Sequence, residues 1–283
     1  MPELPEVETV RRMLEASAVG RTILRLERSR RRLHVSAPRG RRVDVRGRAI
    51  EAVHRRGKFL LIDLSGGLSV ISHLGMSGRW LFYPGDRVPR LPHVHVRITF
   101  ADGTRLWYQD PRRFGMFRVV RSDGLGVDPS LKALGPDPLA EPPSGVRLSA
   151  QARGLKASVK SFLLDQRRIA GIGNIYASEI LHRARVHPGR RAGAIEAGEW
   201  ERIASETKAV LDEAIARMGT TFRSYRTLWN EPGSYGDQLM VYDRAGKPCR
   251  RCRSPIRRIV QGQRATFYCQ NCQPRRPKSS ARN

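Results

Sequence analysis

Val94-His95-Val96-Arg97-Ile98-Thr99-Phe100-Ala101-Asp102-Gly103-Thr104-Arg105-Leu106-Trp107-Tyr108 decides the fold of the first half of the chain. Val94, Val96, Ile98 and Phe100 alternate with His93, His95, Arg97 and Thr99, so one face of a strand is buried and the other polar. Asp102-Gly103 supplies a tight turn, and Arg105–Tyr108 returns as a second strand. Phe59–Leu64 and Leu68–Ile71 flank a Ser65-Gly66-Gly67 turn in the same way. Residues 22–120 therefore read mainly as short strands, at the spacing of a sandwich or barrel. Ahead of them, residues 3–20 read as a helix: Pro5 suits its first turn, Val7, Val10 and Leu14 share a face, and Gly20 can end it.

Toward the C-terminus the pattern changes. Residues 121–150 are broken by Gly and Pro, which marks a boundary. Val159, Phe162 and Leu163 then fall on one helical face. Asn174 can cap a helix running through Glu179 and Leu181. Trp200, Ile203, Leu211, Ala214, Ile215 and Met218 form a long amphipathic helix closed by Gly219. The expectation is an α+β protein: an N-terminal β-sandwich with its helix over 1–135, a linker over 136–150, a helical domain over 151–238, a metal-bound hairpin over 239–273 and a basic tail over 274–283, whose composition predicts disorder.

The chain has 283 residues, with 53 Lys+Arg against 26 Asp+Glu and a net charge of +27. Such a surface attracts polyanions, and nucleic acid is the first partner to consider. An Arg-rich compositional bias is the bland alternative. No run approaches the ~20 apolar residues of a membrane span, and the start lacks a secretory pattern, so a cytoplasmic protein is expected. Nothing argues for an oligomer, so a monomer is expected. The four cysteines, Cys249, Cys252, Cys269 and Cys272, form two Cys-x-x-Cys pairs. Two such knuckles supply the four thiolates of one structural zinc ion, the alternative being disulfides.

Several residues could carry chemistry. Removal of Met1 would leave Pro2 with a secondary amine, which near neutral pH is partly unprotonated. An amine attacking an aldehydic carbon gives an iminium, and Glu3 beside it is a ready acid or base. The competing reading is a helix cap rich in acids and proline. Gly171-Ile172-Gly173-Asn174 could present backbone N–H groups to a phosphate or simply cap a helix. Arg105, Arg112 and Arg113 among Trp107, Tyr108 and Phe114 suit a wedge entering a duplex, or an ordinary hairpin tip.

Six motifs in order resemble the bacterial formamidopyrimidine-DNA glycosylases. They are Pro2-Glu3-Leu4-Pro5-Glu6-Val7-Glu8-Thr9, Gly57-Lys58-Phe59-Leu60, His73-Leu74-Gly75-Met76-Ser77-Gly78, Asp110-Pro111-Arg112-Arg113-Phe114-Gly115, the run Gly171 through Glu179, and Gln263 through Cys269. The resemblance implies a helix–two-turn–helix and a zinc-finger hairpin in the C-terminal half. It also implies base-excision repair of oxidised purines, chiefly 8-oxoguanine and formamidopyrimidines, in double-stranded DNA, with cleavage at abasic sites and an association with the bacterial nucleoid. By that likeness Pro2 is the nucleophile and Glu3 the acid for base release. Lys58 acts in β-elimination and Arg264 in δ-elimination. His73, His93, Arg112, Lys156 and Asn174 contact DNA. Met76, Arg112 and Phe114 fill the gap left by the flipped base, and the loop with Thr220, Thr221, Arg223 and Tyr225 reads that base. Zinc takes no part in the chemistry, since four thiolates leave no open position. It clamps the Ile256–Tyr268 hairpin and so aims Arg264 at a phosphate.

Two other functions compete. A related endonuclease-eight-like enzyme would remove oxidised pyrimidines, but Leu4 and Arg112-Arg113-Phe114 favour the purine enzyme. A catalytically silent damage-binding protein would be expected to lack Pro2, Glu3 or Lys58, and all three are present.

Overall fold

The computed structural model describes residues 1–29, 33, 35–36, 43–85, 88–222 and 224–275. Arg223 and the tail from position 276, both named above, lie outside them. The chain divides into two compact units: Met1–Ala133 with Ala214–Gly236, and Leu134–Glu213 with Asp237–Asn283.

The first unit begins with α1 (Leu4–Ala18), followed by β1 (Ile23–Arg28), β2 (Val35–Ser36), β3 (Ile50–Arg56), β4 (Phe59–Leu64), β5 (Leu68–His73), β6 (Arg79–Tyr83), β7 (Val94–Phe100), β8 (Arg105–Gln109), β9 (Met116–Arg121) and the short α2 (Pro129–Lys132). Two sheets form, with strand orders β1-β7-β8-β6 and β2-β9-β5-β4-β3. The stretch Val94–Tyr108 forms the hairpin β7–β8: Ile98 pairs with Leu106 and Val96 with Tyr108. Its turn has Gly103 at φ +86°, a conformation open to glycine. The apolar face of that hairpin, with Phe100, Leu106 and Tyr108, shares one core with Leu60, Ile62 and Val70 of the other sheet and Val7, Val10 and Leu14 of α1. Tyr225 and Leu228 enter the same core, which is why residues 214–236 cluster here rather than with the helical half.

The second unit holds α3 (Gly145–Ala152), α4 (Val159–Leu164), α5 (Asn174–Arg183), α6 (Ala197–Ala216, here up to Glu213), β10 (Ile256–Gln261) and β11 (Arg264–Cys269). The stretch expected as a linker thus carries a helix, α3, capped by Ser144 Oγ accepting the Arg147 N–H. Val159, Phe162, Tyr176, Ile180, Trp200 and Leu211 are buried, and Phe162 meets Trp200 with ring centroids 5.0 Å apart. Gln166 organises the turn between α4 and α5. Its amide N–H groups reach the Leu164 and Ile172 carbonyls at 2.9 and 2.8 Å, and its oxygen accepts the Gly171 N–H at 2.9 Å. No helix among the described residues is long and apolar enough to cross a membrane.

Candidate active site and zinc centre

In the first unit the N-terminus is built into the fold. Pro2 and Glu3 are buried while Met1 is 42 % exposed. Glu3 caps α1, and Glu6 reaches back to accept the Glu3 N–H at 2.7 Å. The other oxygen of Glu6 accepts the Thr220 N–H, also at 2.7 Å. One buried carboxylate therefore joins the start of the chain to the loop holding Thr220, Thr221 and Tyr225. Gly219 makes this approach possible: φ is +77°, and a Cβ there would stand 2.7 Å from Glu6 Oε1. Thr221 Oγ1 donates to the Tyr225 carbonyl at 3.2 Å and accepts the Gly233 N–H at 2.9 Å. Burial pushes the Tyr225 hydroxyl well above its ordinary range, so it stays a neutral donor. Glu6 was missed by sequence reasoning, although an acid three residues after a helix cap is the signal of a capping box.

Lys58 is buried in the β3–β4 turn. Arg55 fixes this turn, donating to the Gly57 carbonyl at 2.9 Å and to Glu8 of α1 at 2.9 Å. Burial would raise the Glu8 carboxyl, but Arg12 and Arg55 hold it below the usual range. His73, at the end of β5, accepts the Gly75 N–H at Nδ1, 2.9 Å away. Burial first, and the Lys58 charge second, lower His73 to about 4. Its imidazole is thus neutral at physiological pH and offers an Nε2–H rather than a charge.

Met76 and the Arg112–Phe114 segment sit on two loops that knit together. Asp110, fully buried, accepts from Ser77 Oγ at 2.6 Å and from the Gly115 N–H at 2.8 Å. Ser77 Oγ in turn accepts the Arg112 N–H at 3.2 Å. Gly75 has φ +57°, and a Cβ there would lie 2.5 Å from the Phe114 carbonyl, so only glycine lets the loops approach. Met76 and Phe114 are 36 % and 45 % exposed, large apolar groups facing solvent beside Arg112, whose guanidinium lies 4.8 Å from the Phe114 ring. His93 is exposed, and its carbonyl accepts the Asp110 N–H at 2.9 Å. Met76, His93, Arg112 and Phe114 are therefore gathered around one buried aspartate that the sequence reading did not single out.

In the second unit Asn174 is the first residue of α5, not its cap. Gly173 holds the cap position, and Asn174 Nδ2 instead donates to the Ala265 carbonyl at 2.9 Å. Lys156 is exposed before α4. Lys160, unremarked in the sequence, is buried, and its Nζ donates to Thr266 Oγ1 at 2.7 Å and the Ala265 carbonyl at 3.2 Å. These contacts grip β11 one and two residues past Arg264. The β10–β11 turn places Gly262 and Gln263 at φ +51° and +61°, the signature of a two-residue type I′ hairpin. Arg264 follows it, exposed and paired in register with Gln261. Glu179 of α5 is fully buried and accepts the Met240, Val241 and Tyr242 N–H groups at 2.7, 3.0 and 2.8 Å.

The four cysteines converge. Their sulfurs lie within 4.8 Å of one another, with Cys252 Sγ 3.4 Å from Cys269 Sγ and Cys249 Sγ 3.9 Å from Cys272 Sγ. Thiolates bound tetrahedrally at ~2.3 Å would be about 3.8 Å apart, so the donor set fits zinc. None of the four forms a disulfide.

Sandwich, glycine-turned helix pair and tetrathiolate hairpin together define a two-unit zinc-finger protein. Residues 1–117 match the formamidopyrimidine-DNA glycosylase N-terminal domain, residues 134–226 the H2TH domain of the same enzymes, and residues 246–275 the zinc finger found in FPG and IleRS. The formamidopyrimidine-DNA glycosylase of Symbiobacterium thermophilum is 43% identical over 275 residues, covering 97% of this chain and 90% of that protein. A Lactococcus lactis FPG variant in complex with Fapy-dG-containing DNA aligns with a TM-score of 0.89 at 32% identity, covering 96% of this chain and 100% of that one. The L. lactis Fpg bound to DNA containing an abasic site aligns at 0.86 and 31%, covering 96% and 99%. The chain belongs to the formamidopyrimidine-DNA glycosylase family. It is a zinc-finger protein with one structural zinc.

Proposed function

We propose that the chain is a bifunctional DNA glycosylase and abasic-site lyase of base-excision repair, acting on oxidised purines such as 8-oxoguanine and formamidopyrimidines in double-stranded DNA within the bacterial nucleoid. The observation that carries the mechanism is the burial of Pro2 and Glu3 at a helix cap that Glu6 ties to the Thr220 loop. An unused terminus has no reason to be ordered in this way. Exposure of Met1 supports its removal, which turns the Pro2 nitrogen from an amide into a secondary amine.

The amine adds to C1′ of the damaged nucleotide as the base leaves, with Glu3 supplying a proton as the sugar ring opens. The resulting iminium acidifies the α-proton, so the 3′ phosphate departs by β-elimination and the 5′ phosphate by δ-elimination. Lys58 and Arg264 serve these two steps, and cations at the departing phosphates stabilise developing charge. His73, His93, Arg112, Lys156 and Asn174 hold the DNA. Met76, Arg112 and Phe114 enter the gap in the duplex, and the loop holding Thr220, Thr221, Arg223 and Tyr225 receives the extruded base, since a base must leave the stack before chemistry can reach it.

Borohydride added during reaction with a duplex holding 8-oxoguanine opposite cytosine should trap a covalent adduct at the Pro2 nitrogen, located by mass spectrometry. Pro2→Gly should turn over more slowly while binding undamaged duplex normally. A protein that retains Met1, or one that binds the duplex without forming an adduct, would refute the mechanism.

A further inference from the structure

His182 occupies the last turn of α5, is fully buried, and places its Nε2 3.6 Å from Cys249 Sγ. Its Nδ1 is buried too and has no hydrogen-bond partner among the described residues. Zinc fixes the chemistry of this contact. A ligating cysteine is a thiolate and has no proton to give, so the contact is a hydrogen bond only when Nε2 carries the proton. That tautomer leaves Nδ1 as a bare buried acceptor. Such orphans are unfavourable and persist where the partner bond offsets them, and bonds to an ionised acceptor are the stronger kind.

A zinc ion with four thiolates carries two negative charges. An N–H aimed at one sulfur draws charge from it, making that sulfur less ready to take a proton or meet an oxidant. The helix that supplies this N–H already anchors the metal-bound region twice more, through Asn174 Nδ2 on the Ala265 carbonyl and Glu179 on three successive backbone N–H groups. We propose that His182 is a positioning residue of the zinc centre: its Nε2–H donates to the Cys249 thiolate, seats the metal cluster on α5 and slows loss of the ion. The competing account is that the ring only fills space, in which case another ring of similar size would serve.

Three measurements on the full-length zinc protein separate these accounts. The first is the rate at which zinc passes to an excess of a chromogenic chelator. His182→Phe should release it on the order of 10-fold faster or more, the usual scale for losing a partner behind a metal ligand. His182→Gln, which can bring an amide N–H to the same place, should stay near the unaltered rate. The second is the sulfur-to-metal charge-transfer band of the cobalt-substituted protein, which should move to lower energy in His182→Phe and hold its place in His182→Gln. The third needs no substitution: imidazole nitrogen resonances of the unaltered zinc protein should report the Nε2–H tautomer. An Nδ1–H tautomer overturns the proposal. So does a His182→Phe protein that keeps zinc and the cobalt band unchanged, or a His182→Gln protein as labile as His182→Phe. If His182→Phe fails to fold, the tautomer decides alone.

Discussion

Two hairpins of this protein, β7–β8 and β10–β11, have the same secondary structure and opposite means of support. The first lies inside a sandwich, pairs on both flanks and buries Val96, Ile98, Phe100, Leu106 and Tyr108 in a core shared with a second sheet and α1. The second is a two-stranded sheet by itself, whose buried cluster is Val241, Cys249, Ile256, Phe267 and Cys269, two of these being zinc ligands. Val260 on its outer strand is 63 % exposed. A lone hairpin in water is marginal at best. Apolar burial holds the first, whereas the second depends on a metal and on polar side chains from α4 and α5. The candidate DNA-contacting loop of the first lies at its exit, over Asp110–Gly115, and the candidate cation of the second, Arg264, lies just past its turn.

The largest expected effect comes from removing the metal. Chelation should unfold β10–β11 and leave the sandwich intact, since binding free energy at such a site is folding free energy. Binding to a duplex with an abasic-site analogue, and nicking of a lesion duplex, should both fall by on the order of 100-fold, because the proposed contribution of Arg264 is lost with its hairpin. Limited proteolysis should gain cuts beyond residue 237 that the zinc-bound protein resists. Metal-free protein that nicks at the normal rate would break the comparison.

The corresponding lesion in the first hairpin is Asp110→Ala. It removes the acceptor for Ser77 Oγ and for the Gly115 N–H while β7–β8 keeps its core. Two bonds to a buried carboxylate put the loss at about 3 kcal/mol, measurable as a lower urea midpoint. Lesion binding should weaken as the loops with Met76 and Phe114 part, but borohydride trapping on a single-stranded abasic substrate, which asks for no wedge, should persist. Equal loss of both would show that Asp110 serves the whole fold rather than the two loops.

This asymmetry also explains what the sequence made legible. Period-two alternation announced β7–β8, the paired Cys-x-x-Cys announced the zinc, and the apolar spacing of Val7, Val10 and Leu14 announced α1. Each is a local pattern. The residues that assemble the sites were not legible, because each works through partners distant in sequence: Glu6 through Thr220, Asp110 through Ser77, Lys160 through Thr266 and Glu179 through residues 240–242. A single buried acid or lysine has no periodicity to read. Asn174 suits a helix cap by its type, but Gly173 stands at the cap and the Asn174 Nδ2 donates to the distant Ala265 carbonyl. The stretch 136–150 suggested a linker by composition, yet Gly145 and the residues after it form α3 once Ser144 caps them.

The smallest effect sharpens the comparison from the side of pH. His73 lies on β5, and its carbonyl accepts the Tyr108 hydroxyl at the end of the first hairpin. Folding lowers its pKa from 6.5 to about 4, through burial first and the Lys58 charge second. As the pH falls from 6.5 toward 4, the unfolded chain takes the proton before the folded one does. The contribution of His73 to stability is therefore complete above pH 6.5 and is lost on acidification through that window. At pH 5 the loss should be about 1 kcal/mol once solvent screening of the partly exposed ring is allowed for. His73→Gln cannot titrate and should show a shallower drop in urea midpoint between pH 7.5 and pH 5 than the unaltered protein. Should both proteins lose the same stability over that range, the acid sensitivity of the sandwich resides elsewhere and His73 is not held neutral by the fold.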